Sequence, residues 1–160
     1  MEYYAKMTDM DRQLLDLLQE DAMLSVAEIA DRIGSSKSVC WRRIQRLQEN
    51  GVIKSRVALL DHNKVGLNVV LFAHVKMTAH GRKVLPNFIE KIKDLPEIME
   101  CHTLMGDVDF LLKIVVKDIQ QYQDLWWHHL SQIDGVQEIN STIAMTTEKH
   151  TTKLPLPVAM

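Results

Sequence analysis

Behind Thr8 and Asp9, apolar residues return at helical spacing: Leu14, Leu15, Leu17 and Leu18 form a stripe, and acids crowd the first turns, where the helix dipole favours them. The spacing predicts a first helix over roughly Met10 to Gln19, capped by Thr8 or Asp9. After the polar break Glu20-Asp21, Ser25 stands three residues before Glu28 as a capping box. Val26, Ile29, Ala30 and Ile33 then share one face of a second helix. Gly34 ends that helix, and Ser35 or Ser36 opens a third in which Cys40, Ile44 and Leu47 lie inward while Lys37, Ser38, Arg42 and Arg46 point elsewhere. Gly51 stops it. Two helices joined tightly at a glycine, the second with a polar outer face, make a helix-turn-helix, whose later helix enters the major groove of DNA with its N-terminal residues at base edges. Ser36, Lys37, Ser38 and Arg42 take that place, with Arg46 a turn further on. Val52 to Leu60 alternates and is β-branched, predicting a strand or small wing.

Beyond the polar stretch Asp61-His62-Asn63-Lys64 the period changes. Val65 to Met77 reads as a strand, and Gly81 to Leu95 as a helix burying Val84, Leu85, Phe88, Ile89 and Ile92. Glu97 to Met105 and Asp109 to Lys117 read as strands around a Gly-Asp turn. Asp118 to Ile133 is a helix with Ile119, Tyr122, Leu125, Trp126, His129 and Leu130 inward. Val136 to Met145 is a last strand with Ile139, Ile143 and Met145 on one face. The β-α-β-β-α-β order is the ferredoxin-like plan. The fold class is therefore α+β, with a three-helix winged helix-turn-helix over 1–54, a strand or linker over 55–64, a ferredoxin-like unit over 65–152 and a tail over 153–160. Helices would cover one face of the antiparallel sheet. The other would expose Val70, Phe72, Leu111 and Val115 among His74, Lys113 and Thr142, too apolar to stay in water, so a homodimer is expected. A two-fold dimer would set two reading helices at half-sites about one DNA turn apart, on the order of 34 Å.

Composition supports a folded protein: the 160 residues are 46% hydrophobic and 25% charged. The longest apolar stretches, near Val69–Val75 and Phe110–Val116, are interrupted by His74 and Lys113 and fall far short of the roughly 20 residues a membrane span needs. The polar, acidic start is unlike a secretion signal, and Cys40 and Cys101 have no paired spacing, so a reducing, cytoplasmic setting without membrane association is expected. The net charge of −2 hides a division: residues 1–34 carry −5, whereas 36–56 carry six basic side chains against Glu49 alone, +5. A local excess of this kind is the footprint of a phosphate-contacting surface. Trp41 reads as a partly buried packing residue or as an apolar contact at the DNA backbone, and Arg43 as a phosphate ligand or the partner of an acid on the first helix.

Three stretches taken together carry a resemblance: Leu14, Leu15, Leu17, Leu18 and Gln19 with Ser25, Ile29 and Ala30; GSSKSVCWRRIQRLQENGVI over 34–53; and ECHTLMGDVDFLLK over 100–113. They resemble the leucine-responsive/asparagine-operon (Lrp/AsnC, "feast/famine") regulators from about Met10 to Thr152. The family's usual proline just before Cys40 is absent, with Lys37 and Val39 standing there. The resemblance implies a sequence-specific regulator of double-stranded DNA whose C-terminal domain dimerises, assembles further into octamers or other rings, and binds an amino-acid effector near the Gly106 turn at subunit contacts. There the backbone at Gly106 could approach an α-carboxylate, Asp107 or Asp109 meet the α-ammonium, and Thr103, Leu104 and Met105 line a side-chain pocket. The same residues also suit an ordinary hairpin turn in which Asp107 bonds its own chain.

An enzyme is a poor reading. Cys101 and His102 are neighbours on a strand and point to opposite faces, His128 and His129 lie about 100° apart on a helix, and no Ser-His-Asp pattern, phosphate loop or HExxH occurs. No cofactor is expected beyond the effector. The alternative is a winged-helix sensor or interaction module acting through protein contacts, against which the +5 segment counts.

Overall fold

The computed structural model describes residues 7–78 and 84–157. The chain divides into two compact units, one reaching from the N-terminal side to Ala58 and taking in the chain from Glu148 on, the other spanning Leu59–Thr147. Among the described residues no helix is long and apolar enough to cross a membrane.

The first unit holds helices α1 (Asp9–Glu20), α2 (Val26–Ile33) and α3 (Lys37–Glu49). Thr8 and Asp11 close a capping box on α1: the Thr8 hydroxyl accepts the Asp11 N–H at 3.2 Å while the Asp11 carboxylate accepts the Thr8 N–H at 3.0 Å. Ser25 and Glu28 do the same for α2, at 3.2 and 2.8 Å. Each box satisfies end N–H groups that a helix cannot pair internally, which is why these helices start where they do. At Gly34 the backbone turns left-handed (φ 71, ψ 39), which lets α3 follow α2 at once. Leu14, Leu24, Ile29, Ala30, Cys40 and Ile44 close over one another as the core, with Ile53 against it.

The strand expected over Val52–Leu60 does not form. Ile53 is anchored by its N–H on the Leu47 carbonyl (3.1 Å), but Val57, Leu59 and Leu60 are exposed, and no described segment pairs with them. Alternating apolar residues make a strand only where a second strand accepts their hydrogen bonds. The tail is not separate either. Leu154 bonds the Gln19 side-chain amide through both its N–H (2.7 Å) and its carbonyl (3.4 Å), Arg12 donates to the Pro157 carbonyl (2.6 Å), and Lys153 pairs with Glu20. Residues 153–157 thus lie along α1.

The second unit is a four-stranded antiparallel sheet of β1 (Val69–Met77), β2 (Ile98–Thr103), β3 (Phe110–Val116) and β4 (Val136–Ile143), ordered β2-β3-β1-β4. Helices α4 (Val84–Lys93) and α5 (Ile119–His128) pack on one face. That face carries Leu71, Ala73, Val75 and Met77 from β1 and Phe110, Leu112 and Ile114 from β3, against Phe88 and Ile92 of α4 and Leu125 of α5. The Phe88 and Phe110 rings stack at 4.6 Å. Residues 81–83 of the helix expected from Gly81 lie outside the described residues.

Three expectations for this unit are corrected. Strand β1 begins at Val69, because 61–66 make a turn in which Leu67 donates its N–H to the His62 carbonyl (2.8 Å) and its carbonyl lies 2.7 Å from the His62 ring. Helix α5 stops at His128, and the chain tightens into a 3-10 turn at Leu130–Gln132; of the residues expected inward, His129 and Ile119 are exposed while Leu130 stays buried. Strand β4 ends at Ile143, leaving Met145 almost fully exposed.

On the open face, β1 sets Val70 opposite Val115, Phe72 opposite Lys113 and His74 opposite Leu111 of β3, and Phe72 opposite Thr142 of β4. These are the residues the alternation places there.

Candidate nucleic-acid interface and effector turn

Helix α3 presents Lys37, Ser38, Trp41, Arg42 and Arg46 to solvent, with Ser36 exposed at its start. The Ser36 hydroxyl is partly engaged, accepting the Val39 N–H (3.3 Å) as the cap and lying 3.2 Å from the Ser38 hydroxyl. Trp41 keeps 56% of its surface exposed, so part of its ring is covered and part is open on the outer side of the helix. The buried side of the helix is taken by Cys40, Ile44 and Leu47. Arg42, Arg43 and Arg46 together line a cavity of about 250 Å³.

Behind that cavity stands a residue the pattern of apolar positions had marked only as a first-turn acid. Asp11 is fully buried, and its carboxylate pairs with Arg43 (2.9 Å) and Arg46 (3.1 Å). Burial pushes its acidity toward a higher pKa, but the Thr8 N–H and hydroxyl and the Arg43 guanidinium outweigh that and hold the carboxyl below its ordinary range. Arg43 therefore has the acid partner on the first helix that one of its readings required. The signal available in the sequence was the Thr8-x-x-Asp11 box, since an acid held at that place faces whatever basic residue the third helix brings past it.

The turn between β2 and β3 treats its residues unequally. Gly106 (φ 153) lies in a region that favours glycine, with nothing within 4 Å of where a Cβ would stand. Met105 and Asp107 are exposed, as is Thr103 at the end of β2, and Leu104 is half-buried, its N–H donating to the Asp109 carbonyl (2.8 Å). Asp109 turns toward β1, where its carboxylate accepts the Met77 N–H (2.8 Å) and its own N–H donates to the Val75 carbonyl (2.9 Å). Asp107 and Asp109 therefore do not converge on one point. Nearby on the open sheet face, Glu100 accepts from Lys113 (2.9 Å) and lies 3.1 Å from the His102 ring. Lys113 first, then His102, hold the Glu100 carboxyl below its usual value. Among the described residues no group of three or more His, Cys, Asp or Glu is placed to hold a metal.

An exposed cationic helix after a glycine turn, on a chain whose second unit is an α+β sheet with an open turn, defines a DNA-binding regulator that carries its own ligand-binding unit. Residues 7–48 match the AsnC-type helix-turn-helix domain, and residues 70–154 match the Lrp/AsnC ligand binding domain. The glutamate uptake regulatory protein of Zymomonas mobilis is 40% identical over 152 residues, covering 95% of this chain and 92% of that protein. The DNA-binding transcriptional activator DecR of Escherichia coli is 32% identical over 146 residues, 91% of this chain and 96% of DecR. Among solved structures, an AsnC family transcriptional regulator from Agrobacterium tumefaciens superposes with a TM-score of 0.89 at 41% identity, covering 94% of this chain and 97% of that one. A transcriptional regulator from Neisseria meningitidis in complex with L-Met does so with a TM-score of 0.88 at 30% identity, covering 93% and 96%. The chain belongs to the Lrp/AsnC family of transcription regulators, and it is not an enzyme.

Proposed function

We propose that Ser36, Lys37, Ser38, Trp41, Arg42 and Arg46 face double-stranded DNA, and that the turn over Thr103, Leu104, Met105, Gly106, Asp107 and Asp109 receives an amino acid whose binding shifts assembly or half-site spacing. One observation carries the first part: the strongly basic segment is exposed along α3, with three arginines around one cleft. For the second part, the open Gly106 turn leaves backbone N–H groups and the Asp107 carboxylate free to approach a zwitterion, and one structural relative is held with L-Met. Asp109 contributes by fixing the turn to β1. The protein works in the cytoplasm as a homodimer built on the open sheet face, assembled further into a ring such as an octamer, with the effector near subunit contacts.

The test is fluorescence anisotropy against the DNA upstream of the protein's own gene, at two salt concentrations, with and without pooled amino acids. Salt-sensitive binding that the pool alters supports the reading, because phosphate contacts release counterions. Arg42→Ala with Arg46→Ala should weaken DNA binding and spare effector binding, and Asp107→Ala should do the reverse. Equal loss of both in either variant overturns this division. Absence of binding to that DNA and to random DNA hands the case to an interaction module that works through protein contacts.

A further inference from the structure

Both oxygens of the buried Asp11 carboxylate are engaged. Oδ1 accepts from Arg43 (2.9 Å), and Oδ2 accepts from the Thr8 N–H (3.0 Å), the Thr8 hydroxyl (2.8 Å) and Arg46 (3.1 Å). Arg43 donates also to the Thr8 hydroxyl oxygen at 3.0 Å. Neither guanidinium is consumed. Each carries five N–H groups in a planar fork, and the Arg43 and Arg46 side chains remain 27% and 48% exposed. Arg43 and Arg46 are one helical turn apart, and Arg42 completes the lining of their shared cleft. The cluster of one acid and three arginines keeps a net charge of +2 at the mouth of that cleft.

A long arginine side chain in water samples many rotamers, and fixing it on a ligand costs conformational entropy. A buried carboxylate that already holds two of them removes part of that cost before DNA arrives. We infer that Asp11 is a positioning residue for DNA binding: by holding Arg43 and Arg46 beside Arg42 it shapes a cleft that takes one backbone phosphate of the duplex. The inference rests on the DNA-facing role of α3 proposed above. It adds an acid of α1, and Arg43, to the residues on which DNA affinity depends.

Charge counting alone predicts the opposite effect for the decisive substitution. Replacing an acid by a neutral side chain makes the surface more positive, which should tighten binding and steepen its salt dependence. If Asp11 positions the arginines, Asp11→Asn instead weakens binding to a random-sequence duplex by on the order of tenfold, the loss of one charge-assisted contact. The slope of log K against log salt then becomes shallower by about 0.9, the value of one phosphate. Arg43→Lys, which keeps the net charge but loses the fork, should shift slope and affinity the same way. It provides the test even if Asp11→Asn folds poorly. Affinity and slope equal to the parent protein in both variants, with only the melting temperature lowered, would reduce Asp11 to a structural tie and overturn the inference. Tighter, steeper binding by Asp11→Asn overturns it as well. Failure of the parent protein itself to bind the duplex removes the DNA reading and this inference together, whereas failure confined to the variants' predicted shifts removes this inference alone.

Discussion

Burial alone would raise the pKa of the Asp11 carboxyl, yet Thr8 and Arg43 hold it below its ordinary value, and this makes the stability of the first unit depend on acid. A carboxyl whose folded pKa lies below its ordinary 3.8 contributes stability that is fully present above 3.8 and lost as pH falls through the lower, folded value. The thermal midpoint followed by circular dichroism should therefore hold steady from neutral pH to about 5 and drop below 3.8, with the drop smaller in Asp11→Asn. Gly34 makes a separate prediction. Its φ of 71 at the end of α2 is strained for any residue with a Cβ, though nothing stands within 4 Å of that atom. Gly34→Ala should cost about 1 kcal/mol in urea unfolding through backbone strain alone. Gly34 stands out in the sequence as a helix stop, whereas Asp11 is there only one of the acids crowding the first turns of α1. The sequence offered an acid of the first helix as one partner for Arg43, but which acid it is, and that Arg46 joins it, was not legible, because these residues lie more than thirty positions apart and only packing brings them together.

Helices were the most readable elements, because each carries its own instructions: a cap, an apolar stripe and a stop within one short window. The starts of α1, α2 and α3 fall at Thr8, Ser25 and Ser36 for this reason. Strands carry only half of theirs. Val52–Leu60 has the residues of a strand without a partner, and β4 loses Met145 because its pairing with β1 runs out at Ile143. Helix α5 fails for a third reason: a helical stripe continues through His129 on paper, but a tighter turn there keeps Leu130 inward while releasing His129. The tail along α1 had no periodic signal at all, being held by backbone groups of Leu154 and Pro157. Gln19→Ala should loosen it at Leu154, where hydrogen exchange of the amide should speed up while the exchange of the α3 core amides stays unchanged.

For the molecule as a whole, the open sheet face is the feature with the clearest consequence. Phe72, 37% exposed, lies between Lys113 and Thr142 and beside Val70 and Leu111, on a face that no described helix covers. If the proposed homodimer is built on this face, Phe72→Asp should leave the unit folded and shift sedimentation toward the single chain, because the dimer would have to dehydrate the added charge. An unchanged sedimentation profile would move the association surface elsewhere. Sequence alone determined the helix-turn-helix, the β-α-β-β-α-β order and the side on which each sheet residue stands. All of these follow from periods of 3.6 and 2 and from local caps and turns. The tertiary structure decided that Asp11 gathers Arg43 and Arg46, that Asp109 faces β1 while Asp107 faces solvent, that Trp41 stays exposed, and that the tail returns to α1. These are pairings between groups far apart in the chain. Side-chain spacing fixes which face a residue shares with its neighbours, but what meets that face is set only when the elements pack.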